Sequence, residues 1–104
     1  MARPDHVEIA RKGADAIAEW RKGAGREKLD LSHADLKGID LRGADLRRAV
    51  LVDVDLREAD LRGVDFRRCS LERANVISAK LGGANLRYVN LRSAKLVEAK
   101  LAHV

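Results

Sequence analysis

The side chains that most often carry chemistry in proteins are few in this chain and stand far apart. The 104 residues include three histidines, one cysteine and four serines, namely His6, His33, His103, Cys69, Ser32, Ser70, Ser78 and Ser93. The histidines lack the close Cys or carboxylate spacing of a metal site, and the serines have no paired His–Asp arrangement. The glycines form no phosphate-binding loop of the GxxxxGK[ST] or GxGxxG type. We therefore expect no enzyme activity, no metal and no cofactor.

A repeat of five residues places almost all the other side chains. Leucine recurs at every fifth position from Leu31 to Leu101, with Phe66 and Val76 in the same register. Two residues before each of these positions stands a small apolar residue, and the residue between is mostly Asp or Asn. Cys69 occupies one of the small apolar positions, which indicates a buried filler and not a nucleophile.

A period of five fits neither a helix nor a strand. On a helix the leucines would spiral around the axis, and on a strand successive leucines would alternate between the two faces. All of them can point inward only if the chain turns a corner once in every five residues. Coils of this kind stack into a solenoid with a continuous apolar core, which leaves no cleft for a small-molecule substrate.

The segments ADLKG, IDLRG, ADLRR, VDLRE and ANLRY resemble the pentapeptide-repeat family, whose pattern is A(D/N)LXX. The resemblance implies an all-β solenoid over residues 29–104, a right-handed quadrilateral β-helix with four pentads per coil and about 3.75 coils. Gly43, Gly63 and Gly83, spaced by twenty, agree with a coil of that length.

Residues 1–28 are predicted to form an N-terminal capping α-helix and a linker. The helix is expected over 5–22 with Asp5 as its N-cap, and it would cover the open first coil with three apolar residues, Ile9, Ile17 and Trp20, of which Trp20 is the main plug. The segment resembles the helical leader found before many bacterial pentapeptide-repeat domains. The alternative is a helix that binds a partner.

The composition indicates a soluble protein. The formal net charge is +5, one cysteine allows no internal disulfide, and no apolar run is long enough for a membrane span. We expect a cytoplasmic protein with no membrane contact.

The outward positions are where function would lie, because packing determines the inward ones. If four pentads make one coil, one face stacks six residues as a candidate interaction face: Arg47, Arg48, Arg67, Arg68, Arg87 and Tyr88. This face is either simply solvated and partly neutralised by Asp45 and Asp65, or it binds an anion or an acidic partner.

The C-terminal end is the second candidate interface. Residues 29–79 carry a net charge of −1, whereas residues 80–104 carry +4. The interface would contain Ile77, Val97, Lys100, Leu101 and Val104. An uncovered last coil exposes leucines and unpaired backbone. Since members of the family commonly dimerise at this end, the resemblance implies a homodimer, although an appended domain would cover the coil equally well.

The leading functional hypothesis is a non-catalytic protein-interaction or scaffold module whose partner the sequence does not name. One alternative, implied by the family, is an inhibitor or protector of a DNA-handling enzyme such as DNA gyrase. That activity depends on resembling duplex DNA, which needs a strongly acidic surface and a long dimeric rod. The other alternative is weak binding of nucleic acid or another polyanion through the arginine face.

Overall fold

The chain folds into a stack of twenty-residue coils that two short helices close at one end. The computed structural model describes residues 3–103. Parallel backbone bridges join residues twenty apart, from Asp30 with Val50 to Lys80 with Lys100. Within the described residues each bridge is isolated, so the walls of the solenoid are single bridged positions and not extended strands. The successive coils are 30–49, 50–69, 70–89 and 90–103. No helix among the described residues has the length and apolarity needed to cross a membrane.

Each pentad turns its corner with a β-turn. The amide of Ala34 donates to the carbonyl of Leu31 at 3.2 Å, and the same bond recurs in the following pentads. The third residue of each turn has a positive φ near 60–70°, as a type II turn requires. Four of these positions are glycine, and eleven are residues with side chains, such as Arg48 and Tyr88. The four pentads of a coil thus form four walls, which we number from the pentad 30–34.

The turns hold the leucines inside. The positions of the leucine register from Leu31 to Leu81 are buried, including Phe66 and Val76, so the inward register predicted from the period is confirmed there. Leu86, Leu91 and Leu96 are only partly buried, and Leu101 is exposed, because no further coil packs against them in the described chain.

The backbone hydrogen bonds explain why Asp or Asn precedes each leucine. In a pentad of the second coil, three amides donate to the neighbouring coils and one closes the turn. The amide that remains is the first after the leucine, and the side chain two residues earlier accepts it, as in Arg62 N to Asp60 Oδ1 at 3.3 Å. All five amides of the pentad are therefore satisfied, which removes the cost of burying them.

One pentad solves the same problem differently. Val50 stands where Asp or Asn is usual, so it cannot accept the amide of Val52. The hydroxyl of Ser32, one coil below and nearly fully buried, accepts this amide at 3.2 Å instead. Ser32 is thus a structural acceptor.

Two helices, and not one, precede the solenoid. α1 spans Pro4–Arg11 and α2 spans Ala14–Ala24. The single helix predicted over 5–22 is wrong, because Gly13 takes a φ of 99° and interrupts it. Asp5 is also not the N-cap: Arg3 holds that position, and Asp5 lies in the first turn, where its carboxylate pairs with the Arg3 guanidinium at 3.0 Å. The first backbone bond of the solenoid, Val50 N to Leu29 O, begins at the predicted boundary of the two segments.

The helices close the first coil with a small polar and apolar cluster. Ile17 and Ala10 are fully buried, while Ile9 and Trp20 are half-buried. Trp20, expected to be the main plug, is only partly buried, and its ring lies beside that of buried His6, edge to face at 4.9 Å. His6 Nδ1 accepts the Asp30 amide at 2.9 Å, and Nε2 faces the Glu27 carboxylate at 3.3 Å. The histidine therefore holds the helices on the first coil.

We expect Ser32→Ala to destabilise the protein by about 0.5–1.5 kcal/mol, because it leaves the partly buried Val52 amide without an acceptor. Urea unfolding followed by circular dichroism measures this loss. Adding Val50→Asn should restore most of it, since the new amide oxygen would stand where the other pentads have their acceptor. A fully stable Ser32→Ala variant would contradict the assignment.

We also expect His6→Ala to cost about 1–3 kcal/mol, since it removes the acceptor of the Asp30 amide and the contact with Trp20. Hydrogen exchange should show faster exchange of the first-coil amides than of those in the second and third coils. The control is His33→Asn, which changes an exposed histidine at a positive φ that Asn tolerates. Equal effects of the two substitutions would argue against the role of His6.

Candidate functional site

The first feature of the outer surface is a repeated fork between an aspartate and the arginine two residues later. In Asp65–Arg67 the carboxylate accepts the backbone amide at 3.1 Å and the guanidinium at 2.9 and 2.7 Å. The same arrangement occurs five times, at Asp40–Arg42, Asp45–Arg47, Asp55–Arg57, Asp60–Arg62 and Asp65–Arg67. The aspartate thus has two functions, satisfying the backbone and binding the arginine.

These forks hold the carboxylates ionised. Hydrogen bonds from the Arg42 guanidinium lower the pKa of Asp40 to about 2. The pKa values of Asp45, Asp55, Asp60 and Asp65 are lowered for the same reason, and those of their arginines are raised by the carboxylates. The five arginines therefore have their charge partly committed to a partner on their own wall.

Asparagine keeps only half of this arrangement. Asn85 Oδ1 accepts the Arg87 amide at 3.1 Å, and Asn90 does the same for Arg92. Among the described residues neither guanidinium makes a hydrogen bond or an ion pair within 4 Å. Where Asn replaces Asp, the wall keeps its backbone bond and leaves the arginine available.

The structure brings the predicted arginine face together on the fourth wall. Arg47, Arg48, Arg67 and Arg68 line one recess of about 210 Å³. Arg47 and Arg67 are held in forks by Asp45 and Asp65, whereas Arg48 and Arg68 have no carboxylate within 4 Å among residues 3–103. Sequence spacing predicted the stack but not this difference, which depends on the side of the turn from which each side chain leaves.

The upper part of the fourth wall carries an aromatic contact. The Arg68 guanidinium lies 5.0 Å from the centre of the Tyr88 ring, within the range of a cation–π interaction. Tyr88 is 77% exposed and is the largest apolar side chain on this wall to be so open.

The N-terminal segment extends this surface, which sequence reasoning missed. Arg21, Arg26 and Lys28 line a second recess of about 480 Å³ together with Arg47 and Arg48. Arg21 Nε also lies 3.2 Å from Asp45 Oδ2 and so ties α2 to the wall. The run of basic residues over 21–28 was a sequence signal for this extension. Only the packing of α2 shows which wall these residues join. We call the combined surface the basic surface and define it by Arg21, Arg26, Lys28, Arg47, Arg48, Arg67, Arg68 and Arg87.

The second predicted interface lies at the open last coil. Ile77 and Val97 are neighbours on the second wall, where the Ser78 amide donates to the Val97 carbonyl at 3.0 Å. Val97 and Leu101 are 64% and 46% exposed, Lys100 is exposed, and Val104 lies outside the described residues. Among the described residues the amides of Leu86, Leu91 and Leu96 have no acceptor.

The reactive side chains of the described residues stand apart from one another. Among residues 3–103 no group of three or more His, Cys, Asp or Glu side chains could hold a metal ion. Cys69 is buried, and burial raises the pKa of its thiol far above the ordinary value. His33 and His103 lie on the outside, on different walls from each other.

The fold and the surface define a four-walled solenoid built from five-residue turns. The chain belongs to the pentapeptide-repeat family: the family model described as pentapeptide repeats matches residues 30–68 and 69–104, in eight copies. Members of this family form right-handed β-helices and are generally non-enzymatic structural or interaction modules.

Solved structures agree with this assignment. A pentapeptide repeat protein from Nostoc Pcc 7120 is 38% identical with a TM-score of 0.70, over 86% of this chain and 76% of that one. One from the Arabidopsis thaliana thylakoid lumen is 35% identical with a TM-score of 0.65, over 67% and 49% of the two chains. A third, from the cyanobacterium Cyanothece 51142, is 26% identical with a TM-score of 0.57, over 72% and 65%. A comparison with functionally curated proteins found no match.

The forks make stability depend on pH in the acid range. Because the pKa of Asp40 is about 2 when folded and 3.8 for an unperturbed aspartate, the unfolded chain binds more protons between these values. The contribution of the forks is complete above about pH 4 and is lost as the pH falls toward 2. We expect the urea midpoint to stay nearly constant from about pH 7 to 5 and to fall below 4.

The control for this prediction is Asp40→Asn, which keeps an acceptor for the Arg42 amide but does not titrate. This variant should show a shallower loss between about pH 4 and 2. An unchanged slope would mean that the acid sensitivity arises elsewhere.

Proposed function

We propose that this chain is a non-catalytic protein-interaction module, a right-handed quadrilateral β-helix with about 3.75 coils and an N-terminal helical cap. One observation carries the proposal. The interior is filled by leucines and small residues, while the turns hold the outward side chains in regular columns. Such a surface is organised before a partner arrives, so little conformational entropy is lost when it docks.

The basic surface on the fourth wall is the best supported docking face. Its members on the wall stand one above another, those of the N-terminal segment adjoin them, and two recesses lie between these side chains. The alternative of inhibiting or protecting a DNA-handling enzyme by DNA mimicry is disfavoured, because mimicry needs an acidic face and this chain has a net charge of +5.

A homodimer is the second interaction that we propose. It is favoured by the exposed side chains of Val97 and Leu101 and by the row of unsatisfied amides on the last coil. A second copy would cover the apolar side chains, and its carbonyls that lack a donor among the described residues, such as that of Ala84, would accept the amides. The cytoplasmic location remains a prediction as well.

The test uses a photo-crosslinking phenylalanine derivative on different walls. The positions of Arg48, Glu58 and Arg73 all have the positive φ at which Tyr88 is accommodated, so an aromatic side chain fits each of them. They lie on the fourth, second and first walls. Irradiation in cells of the source organism should give one reproducible protein adduct from position 48 and none from 58 or 73. A fourth variant at Val97 should give an adduct of the chain with itself.

Adducts of equal yield from all three walls, or from none, would contradict an interaction module with a defined docking face. Adducts from position 58 or 73 alone would keep the module and move its docking face.

A further inference from the structure

The basic surface has features that specify the chemistry of its partner. We propose that it binds an extended acidic segment, rich in Asp or Glu, of another protein. This inference rests on the proposed interaction function and adds the surface and the partner class to it.

The basic surface carries more positive than negative charge. The surface brings together eight cationic side chains, whereas the carboxylates among them are Glu27, Asp45 and Asp65. Each of the three is already engaged: Glu27 Oε2 binds Arg3 at 2.6 Å, and the two aspartates hold Arg47 and Arg67 in forks. The surface therefore has an excess of positive charge that an acidic ligand would neutralise.

Two guanidinium groups in the smaller recess of the basic surface have no carboxylate partner in the described chain. Arg48 and Arg68 have no carboxylate within 4 Å among the described residues, yet they line the same recess as Arg47 and Arg67. Their guanidinium groups are planar forks that match the two oxygens of a carboxylate. A recess of about 210 Å³ has room for one carboxylate group and its remaining water.

The length of the basic surface matches a short extended peptide. The two recesses share Arg47 and Arg48 and so adjoin, and Arg87 stands on the same wall one coil beyond Arg67. With about 4.8 Å between coils, the two intervals from Arg47 to Arg87 span about 10 Å. An extended peptide advances about 3.4 Å per residue, so about three residues would cover these coils, and one or two more would reach the recess beside the cap. A short acidic run in an extended segment has this length.

The fourth wall fits a protein partner better than a nucleic acid. Stacking of bases needs open aromatic faces. Among the described residues Tyr88 is the one exposed aromatic side chain on this wall, since Phe66 is buried, and Arg68 lies over the Tyr88 ring at 5.0 Å. Reading a duplex needs an element that enters a groove, and the wall consists of tight turns that present no helix or ribbon. The wall therefore favours recognition of carboxylates by guanidinium groups over the reading of bases.

Single substitutions on opposite walls of one coil provide the test. Asp65 and Asp55 form the same fork, with guanidinium distances of 2.7 Å and side chains 27% and 26% exposed. Changing either to Asn should keep the backbone bond, as Asn85 does, and should release one arginine. The net charge rises equally, but only Asp65→Asn releases an arginine on the basic surface.

The probe is a fluorescent hexaglutamate peptide, titrated by anisotropy at about 150 mM salt to limit long-range attraction. We expect Asp65→Asn to tighten its binding by about three- to tenfold, while Asp55→Asn changes it by less than about twofold. The double variant Arg48→Glu with Arg68→Glu should weaken binding by more than about tenfold. Glu58 and Glu98 already occupy the equivalent turn position, so the fold accommodates the change.

The control for charge removal is Arg92→Glu with Lys95→Asp, which alters two cations on the first and second walls by the same amount. Glu72 stands directly below Arg92, so this position also accepts the change. Binding should stay within about twofold of the original chain.

Three results would overturn the inference: no binding of hexaglutamate by the original chain, equal effects of Asp65→Asn and Asp55→Asn, or tighter binding of a hexathymidylate than of hexaglutamate. Any of them would leave the proposed module standing if position 48, 58 or 73 still crosslinks selectively to a protein. If hexaglutamate binds selectively but no position crosslinks to a protein, the acidic-ligand site would stand and the proposed interaction module would be overturned.

Discussion

One backbone amide in every five residues is the constraint on which the rest of this solenoid depends. Of the five amides in a pentad, four donate to turns or to neighbouring coils, and the one after the leucine has no backbone acceptor in reach. An Asp or Asn side chain two residues earlier supplies it in most pentads, and Ser32 supplies it to Val52. Because an amide without a partner is costly where water is excluded, Asp and Asn are favoured before the leucines.

The same requirement determines the charge of the surface. An aspartate that satisfies the backbone brings a negative charge, and an arginine two residues later binds to it in a fork. Replacing that aspartate by asparagine, as at Asn85, keeps the bond and frees the arginine. The residue before the leucine thus sets the charge of its wall and also accepts a backbone amide. The third wall shows that an acceptor is not present in every pentad. Lys80 and Lys100 supply none, and the described chain shows none for the amides that follow them.

Sequence reasoning predicted the parts of this structure that depend on local geometry. The inward register of the leucines, the buried Cys69 and the stack of arginines on one wall all followed from a period of five and a coil of twenty. The helical segment was less well predicted. The single helix predicted over 5–22 ran through Gly13, which instead separates two helices, because apolar periodicity persists across a glycine and does not reveal its φ. The role of His6 as an acceptor was not predicted, since it depends on Asp30, twenty-four residues away.

The sequence by itself determined the solenoid, because one corner in every five residues is a matter of local sterics and of which side chains can be buried. Only the tertiary structure decided how the cap sits, which wall receives Arg21, Arg26 and Lys28, and which arginines keep their charge available. These outcomes depend on contacts between segments remote in the chain, and on side-chain directions around each turn, for which a linear pattern carries no signal.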